Sequence, residues 1–470
     1  MAAPRDPARR ALRADLLDFT ADPGLGTPSP AALRHRPDHW LLIEHGRIAG
    51  VLSGSEGPGD DWQREDHRGR LLLPGLIDTH VHSVQLDVVA SYGSELLDWL
   101  ERYTFPAEAR HADAEHAAAQ ANAFTDALLA HGTTAAVAFP SVHAASVDAL
   151  FGAARARGMR MIAGKVLMDR HAPDGLRDDV GRARDECEAL IARWHGSDRL
   201  AYAVTPRFAA TSTPAQLAMA GALLRRHQGL YMQTHVAENR AEVAWVAQLF
   251  PEARSYLDVY HRHGLLGERA VLAHGIWLDD ADRARLADSG AQIAHCPGSN
   301  LFLGSGLFDW QAMAEAKVPV SLASDVGGGT SLSMLRAMAD AYRVQALRGV
   351  RLSAFKALHA ATLGAARALH LDHEIGSLEP GRSADLTVWD WAVGAVPLAR
   401  DALARDLHER LFAWMMLGDE RNLVATLVAG CARYRRGSDV AEVQGRPKKA
   451  ASVARAASAG VIGAVAGSSP

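Results

Sequence analysis

Residues 75–85 read GLIDTHVHSVQ, an apolar run that ends in two histidines two positions apart. Because the side chains of a β-strand point alternately to its two faces, His80 and His82 lie on the same face and can reach a single point. A buried pair of imidazoles loses hydration unless a partner replaces it, and a divalent metal is the strongest such partner. The motif by itself leaves two interpretations open, a metal site or two histidines that bond to backbone carbonyl groups.

Three later apolar runs also end in a residue that can bind a metal. MQTHVAE reaches His235, VLAHGIW reaches His274, and SLASDVGGG reaches Asp325. The stretches between them are long enough to hold a strand, a helix and two loops, as a βα unit requires. In a closed barrel the carboxyl ends of the strands converge on one face, where the active sites of such barrels lie. The four runs together therefore predict one shared metal site.

The residue types favour a hydrolytic metal centre. His80, His82 and His235 supply three neutral nitrogens, and the carboxylate of Asp325 adds partial charge neutralisation while leaving a position for water. Zinc bound in this way lowers the pKa of its water to about 7, which gives a metal-bound hydroxide at neutral pH. We expect one Zn²⁺ per subunit, with iron as the alternative, and we expect Asp325 to take the proton of the water.

Two neighbouring residues are expected to complete the chemistry. Glu238 follows His235 by three residues and is displaced from the metal, so it is a candidate proton shuttle to a substrate ring nitrogen and a departing amine. His274 is either a fourth ligand or a donor that polarises the attacked carbon or holds the hydroxide. The HxE and PCxxC pattern of the cysteine-based zinc deaminases is absent, so any deamination must use this site.

The two ends of the chain differ from its middle. Residues 39–54, 382–391 and 422–437 are typical of short strands, and they predict one small β-domain built from both ends. Between them, short apolar runs alternate with long stretches rich in Ala, Leu and Arg, which predicts a parallel sheet with helices outside it. From about residue 438 the chain is rich in Ala, Gly and Ser, which predicts a disordered tail.

Composition narrows the class of protein. The chain has 470 residues, a formal charge of -4 and 48% hydrophobic residues, as is typical of a globular protein. It has no basic patch, so we expect neither a nucleic acid nor a membrane as partner. Three isolated cysteines predict no disulfide framework, and the amino terminus has no sustained apolar segment, so we expect a cytoplasmic protein.

The ligand motifs resemble the amidohydrolase superfamily, in particular its mononuclear deaminases. The resemblance rests on PGLIDTHVH, the His-x-x-Glu that begins at His235, a lone strand-end histidine and a final aspartate. It implies a (β/α)8 TIM-type barrel with a small β-sandwich domain formed from both termini. The implied limits are 1–73 and 371–437 for the β-domain, 74–370 for the barrel, and 438–470 for the tail. Lys165 would be a ligand only in a dinuclear hydrolase that uses a strand lysine.

Longer segments around these motifs resemble one family within that superfamily, the guanine deaminases. They include LLDWLERYTFPAEAR, VTPRFAATSTPAQL, HCPGSNLFLGSG and SDVGGGTSLSMLRAM. The resemblance implies that a homodimer hydrolyses guanine, a small purine base, to xanthine and ammonia. It places Gln85 and Arg207 on the polar edge of the purine and Phe208 against its face. Trp99 and Leu100 would close the pocket, and the planar donor fork of Arg207 suits O6 and N7.

Alternatives remain for the pocket and for the activity. Taken singly, Arg207 fits a salt bridge at the barrel rim and Gln85 fits a loop cap. Phe208 and Trp99 fit ordinary core packing. A related deaminase of the same superfamily would act on a pterin, a triazine, cytosine or an adenosine derivative. A catalytically silent scaffold of the same fold would be expected to have lost metal ligands, whereas this chain has all of them.

Overall fold

A computed structural model describes residues 9–26, 29–93 and 96–438 of the chain. The tail predicted from residue 438 onwards, apart from Ser438 itself, lies outside the described residues. Within the described part, no helix combines the length and the apolarity needed to cross a membrane. None of the three cysteines forms a disulfide.

The strands of the described residues form two sheets. The first four strands are β1 (Arg9–Phe19), β2 (Leu33–Glu44), β3 (Arg47–Ser53) and β4 (Gln63–Pro74). Then follow β5 (Leu76–His82), β6 (Thr133–Phe139), β7 (Arg160–Ala163), β8 (Val166–Leu167), β9 (Leu200–Pro206), β10 (Tyr231–Val236), β11 (Ala270–His274), β12 (Gln292–His295) and β13 (Val320–Leu322). The last three are β14 (Leu386–Trp389), β15 (Leu423–Val428) and β16 (Cys431–Arg435).

Helices separate most of the central strands. The first eight are α1 (Leu96–Trp99), α2 (Phe105–Ala109), α3 (Ala114–Ala130), α4 (Ala144–Arg157), α5 (Val180–Trp194), α6 (Pro214–Arg226), α7 (Arg240–Leu249) and α8 (Tyr256–Arg262). The others are α9 (Asp280–Ser289), α10 (Pro297–Phe302), α11 (Trp310–Glu315), α12 (Met334–Leu347), α13 (Ala354–Ala360), α14 (Leu363–Ala368), α15 (Ala395–Ala402) and α16 (Leu407–Leu417). A π-helical turn, Leu100–Thr104, joins α1 to α2.

Strands β5 to β13 form a parallel barrel of eight strands, in which β7 and β8 are two pieces that lie along β9. The last strand returns to the first. The hydroxyl of Thr79 in β5 donates to the carbonyl of Leu322 in β13 at 3.0 Å. Just beyond β13, the backbone N–H of Asp325 donates to the carbonyl of His80 at 2.9 Å. This nearly closed barrel with helices outside it confirms the predicted (β/α)8 class.

The barrel strands are buried on both faces. Every residue of β5 and of β6 is buried, and small side chains such as Ala135, Ala203 and Ala273 pack inside the barrel. Strands of this kind produce continuous apolar runs instead of a strict alternation. The runs seen in the sequence therefore mark the strands, and the residues that end them mark one face of the barrel.

The second sheet joins strands from the two ends of the chain, in the order β16-β15-β14-β4-β1-β2-β3. All neighbours pair antiparallel except β1 and β4. One face carries its own apolar cluster, with members that include Leu12, Leu41, Leu72, Leu386 and Leu427. Residues of the other face, such as Leu17 and Leu73, belong to the main core. The prediction of a small β-domain formed from both termini is confirmed.

Candidate active site

The four predicted metal ligands meet at the carboxyl ends of three barrel strands. His80 and His82 end β5, His235 lies near the end of β10, and Asp325 follows β13. One imidazole nitrogen or carboxylate oxygen from each lies within 4.8 Å of the others. The Nε2 atoms of His82 and His235 are 3.2 Å apart. Asp325 Oδ1 is 3.2 Å from His80 Nε2 and 3.4 Å from His82 Nε2.

This donor set fits a divalent metal. His235 Nδ1 lies 2.7 Å from the carbonyl oxygen of Arg207, which can only accept, so Nδ1 carries the proton and Nε2 turns a lone pair to the cluster. His80 Nε2 is buried, and among the described residues it makes no hydrogen bond of good geometry. Nitrogen and oxygen lone pairs that converge in a buried place need a cation or protons between them. The arrangement therefore suits an ion held by three imidazoles and a carboxylate.

Burial keeps the histidines in the neutral form that binds metals. It lowers the pKa of His82 to about 4, and it also lowers the pKa of His80 and of His235. Burial opposes the ionisation of Asp325, but the contacts with His80 and His82 outweigh it and hold the pKa of this carboxyl well below its usual range. The cluster therefore offers neutral nitrogens and one ionised carboxylate.

Glu238 and His274 face each other beside this cluster. His274 Nδ1 is 2.9 Å from Asn300 Oδ1, so it is Nε2 that faces Glu238 Oε2 at 3.4 Å and Asp325 Oδ2 at 3.7 Å. Burial, followed by the charge of Asp325, raises the pKa of Glu238 to about 8. Ser305 donates its hydroxyl to Glu238 at 3.2 Å. A carboxyl with this pKa carries a proton at neutral pH and can donate it.

The backbone at two of these residues adopts conformations that are rare outside glycine. His274 has φ 72° and Asp325 has φ 49°, both in the left-handed region. Such strain costs on the order of 1–3 kcal/mol per residue and is found where a site requires a particular direction of the side chain. Behind Asp325 the chain turns tightly, since the N–H of Gly329 donates to the carbonyl of Asp325 at 2.5 Å. A side chain at Gly329 would overlap the carbonyl oxygen of Ser324.

A narrow pocket lies against the cluster. The predicted wall residues Trp99, Leu100 and Phe208 line it, and Leu96 and Leu303 join them. The other predicted site residues that line the pocket are His82, Gln85, Arg207, His235, Glu238, His274 and Asp325. The pocket is therefore lined by three of the four predicted metal ligands together with the predicted substrate residues, and the fourth ligand, His80, lies behind them in the cluster.

Gln85 and Arg207 meet on Glu108, a residue that the sequence analysis missed. Both oxygens of Glu108 accept from Arg207 Nη1, at 2.7 and 2.8 Å, and Oε1 also accepts from Gln85 Nε2 at 2.8 Å. Glu108 is fully buried and Arg207 is nearly so. Arg207 is thus part of a buried ion pair at the pocket instead of a salt bridge at the rim. The sequence gives no local signal for Glu108 beyond an acid within the segment TFPAEAR.

Cys296 and Lys165 are two further buried residues near the site. The sulfur of Cys296 belongs to a second group of possible metal ligands, with His80, His274 and Asp325. Lys165 is buried beside Asp178, and its ammonium donates to both oxygens of that carboxylate and to the carbonyl of Val142. These three bonds use the three protons of the ammonium, so Lys165 is not available to bridge two metals.

A parallel barrel with histidines and an aspartate at the carboxyl ends of its strands is typical of the metal-dependent hydrolases that have this fold. Residues 71–432 match the sequence pattern of the amidohydrolase family, which is more than half of the chain. The chain belongs to the amidohydrolase family.

Known proteins similar to this chain include deaminases. Guanine deaminase of Escherichia coli K12 is 42% identical over 91% of this chain and 98% of its own length. Its solved structure matches with a TM-score of 0.87 over 91% of this chain and 100% of that one. Guanine deaminase from C. acetobutylicum, solved with guanine in its active site, is 26% identical and has a TM-score of 0.81 over 90% and 99% of the two chains. An adenosine deaminase from Xanthomonas campestris with bound zinc shares the fold at 22% identity, with a TM-score of 0.78 over 94% and 97%.

Proposed function

We propose that the protein catalyses the hydrolytic deamination of guanine to xanthine and ammonia. The observation that carries this proposal is a single pocket that is lined by residues of the His/Asp ligand cluster, by Glu238, and by the paired polar groups of Gln85 and Arg207. Two guanine deaminases match nearly the whole chain, which supports the same activity. A silent scaffold would have no use for a complete ligand set that costs desolvation and backbone strain.

The metal is proposed to sit among His80, His82, His235 and Asp325. When bound, it acts as a Lewis acid that lowers the pKa of water to about 7. We propose zinc, one ion per subunit, because three neutral imidazoles and one carboxylate form a donor set that zinc accepts; iron is the alternative. Asp325 is ionised and accepts a proton from the water that attacks C2 of guanine.

Glu238 is the proposed proton carrier. Its carboxyl is protonated at neutral pH, so it donates that proton to a ring nitrogen of guanine. It then takes over the water proton held by Asp325 and delivers it to the departing amine, and the hydroxyl proton that is lost as the new C2 carbonyl forms returns Glu238 to its starting state. His274 is proposed to hold the attacking water, since its Nε2 lies between the carboxylates of Glu238 and Asp325. This assignment makes His274 an orienting group and leaves the four ligands above to hold the metal.

The walls of the pocket suit a flat base with a polar edge. Phe208 is proposed to contact the face of the ring, while Trp99 and Leu100 close the pocket around it. Arg207 directs N–H groups to O6 and N7, which are both acceptors, and Gln85 completes the contacts on the polar edge.

The assembly and the compartment are also proposals. We propose a homodimer, on the resemblance to the guanine deaminases, and light scattering should then give twice the mass of one chain. The mass of a single chain would contradict it. We propose that the protein works in the cytoplasm, where its three cysteines, which form no disulfide, would stay reduced. The proposed partner is a small purine base and not a nucleic acid.

The first experiment is a substrate panel with metal-loaded protein. Guanine, cytosine, adenosine and a pterin are supplied separately, and ammonia release and the ultraviolet change from guanine to xanthine are measured. Release with guanine alone is expected. Release with another base instead would keep the metal centre and overturn the assigned pocket, and release with none, with metal confirmed as bound, would favour the scaffold.

A further inference from the structure

Glu108 lies between the two groups that are proposed to contact the purine edge. It is carried by α2 and is inaccessible to solvent. Arg207 donates to both of its oxygens and Gln85 donates to one of them. Two pocket side chains from different barrel loops are therefore held by a single buried carboxylate.

These bonds decide which way Gln85 presents its amide. A carboxylate only accepts, so the NH2 end of Gln85 must face Glu108. The backbone N–H of Gly327 only donates and lies 3.1 Å from Gln85 Oε1, so the carbonyl end must face Gly327. A flipped amide would set two donors against each other at Gly327 and two acceptors against each other at Glu108. The second N–H and the second lone pair of the amide therefore have fixed directions.

The same carboxylate fixes Arg207. Both contacts are made by Nη1, so Glu108 does not use the N–H groups of Nε and Nη2. Because the guanidinium is rigid and planar, two bonds at one end limit the directions of the others. Arg207 is only 3% exposed, and Glu108 supplies the negative charge that a buried cation requires.

We propose that Glu108 is the positioning residue that sets the hydrogen-bond pattern of the purine-edge subsite. Through Arg207 and Gln85 it selects a base that presents acceptors, a carbonyl oxygen and an unprotonated ring nitrogen, to the donors of Arg207. A base with an amino group in place of that carbonyl would set a donor against a donor, which a buried site rejects strongly. This inference rests on the proposed function, because it concerns the substrate of the same pocket.

A merely structural role for Glu108 must be distinguished from this one. The segment that carries Glu108 also carries the wall residues Trp99 and Leu100. The backbone carbonyl of Glu108 accepts a hydrogen bond from the hydroxyl of Ser141 at 3.1 Å. Loss of a simple anchor would lower the stability of the protein and disturb the whole pocket. Loss of a positioning residue should change substrate binding in a folded enzyme with its metal in place.

Glu108→Gln tests the inference, because it keeps the size of the side chain and turns one acceptor into a donor. We expect the KM for guanine to rise by about ten-fold or more while kcat changes less, since contacts with the purine edge are made both in the bound state and in the transition state. The metal content should stay close to that of the wild type, whereas Tm should fall in a protein that still folds, because the substitution leaves the buried Arg207 without its counter-charge. The matched control is Glu101→Gln, an exposed acid of the same segment, which should leave KM unchanged. A KM for Glu108→Gln within two-fold of the wild-type value overturns the inference.

A double-mutant cycle with Arg207→Gln shows whether Glu108 acts through its partners. In the Arg207→Gln background, Glu108→Gln should raise KM far less than it does in the wild type. If the two substitutions raise KM by factors that simply multiply in the double variant, Glu108 and Arg207 act independently, and the inference is overturned. If Glu108→Gln does not fold, Glu108→Asp takes its place, because it keeps the charge but shortens the reach; the same rise in KM is expected, and an unchanged KM overturns the inference.

Binding without turnover separates this inference from the proposed function. Hypoxanthine keeps the O6 and N7 edge but has no amino group to lose, and calorimetry should show it bound about ten-fold more weakly by Glu108→Gln than by the wild type. Equal binding by the two proteins would overturn the positioning role. If the wild type binds hypoxanthine more tightly than Glu108→Gln does but releases no ammonia from guanine, the proposed activity is overturned and the positioning role stays supported.

Discussion

His82 and His235 hold their Nε2 atoms 3.2 Å apart, although they belong to different strands, β5 and β10. The proton of His235 is on Nδ1, where the carbonyl of Arg207 accepts it, so its Nε2 brings a lone pair to this contact. His82 Nε2 also faces the ionised carboxylate of Asp325 at 3.4 Å. The atoms around this point are rich in electrons, which is the physical reason to expect a bound cation there.

His82→Ala should abolish metal binding. Three donors would remain, and a metal site that loses one of four protein ligands loses most of its affinity. Elemental analysis of the purified variant is expected to find little metal. The control is His295→Gln, because His295 is a buried histidine of β12 that stacks on Phe308 and is outside the ligand cluster. A full complement of metal in His82→Ala would contradict the assigned ligand set.

Glu238→Gln should keep the metal and lose turnover. The amide cannot carry the proton that Glu238 is proposed to transfer, and a general acid-base group of this kind contributes about 10² to 10⁴ in rate. Steady-state rates with guanine and metal analysis of the same sample check both parts. Glu115→Gln, an exposed position in α3, is the matched control. Wild-type turnover by Glu238→Gln would rule out the assigned role.

Gly329→Ala should displace Asp325. A Cβ at this position would overlap the backbone of Ser324, so the turn behind Asp325 has to move. We expect a loss of metal and a free energy of unfolding lower by about 1–3 kcal/mol. Gly152→Ala is the matched control, since Gly152 lies within α4 with open space around it, and this change should be neutral or slightly stabilising. Retention of metal and stability by Gly329→Ala would show that the turn tolerates a side chain.

Acid should destabilise the protein partly through His295. Burial lowers the pKa of His295 to about 3, whereas the unfolded chain protonates it near 6.5. Between these values the unfolded state binds more protons, so the free energy of unfolding falls as the pH falls from about 6.5 towards 3, by up to about 1.4 kcal/mol per pH unit. Denaturant unfolding at pH 7 and pH 5 should show a smaller acid effect in His295→Gln than in the wild type. His373→Gln, at an exposed position, should behave as the wild type; equal acid effects in all three would contradict the assignment.

The sequence indicates the metal cluster because strand geometry is regular. His80 and His82 share a face by the period of two, and the carboxyl ends of parallel barrel strands meet, so apolar runs that end in His235 and Asp325 identify one site without a structure. The fold class follows from the alternation of these runs with helical stretches.

Other parts of the site depend on contacts that no local pattern encodes. Glu108 reaches Arg207 and Gln85 only because the turn from α1 to α2 folds over the barrel, and Asn300 reaches His274 from another loop. Strand β1 was not predicted either. Its arginines interrupt the apolar pattern that is typical of a buried strand, because their charges are neutralised only by partners within the sheet. One such contact is the ion pair between the buried Arg10 and Glu65.

The sheet built from both ends of the chain has a consequence for biosynthesis. Strands β1 to β4 are synthesised before the barrel, but β4 pairs along one side with β14, which is made only after the entire barrel. Until then, the nascent polypeptide has an open strand edge that can pair with another chain. We therefore expect the yield of folded protein to depend on chaperones or on slow translation. The edge of β4 is covered only when the carboxyl-terminal strands have been synthesised and paired.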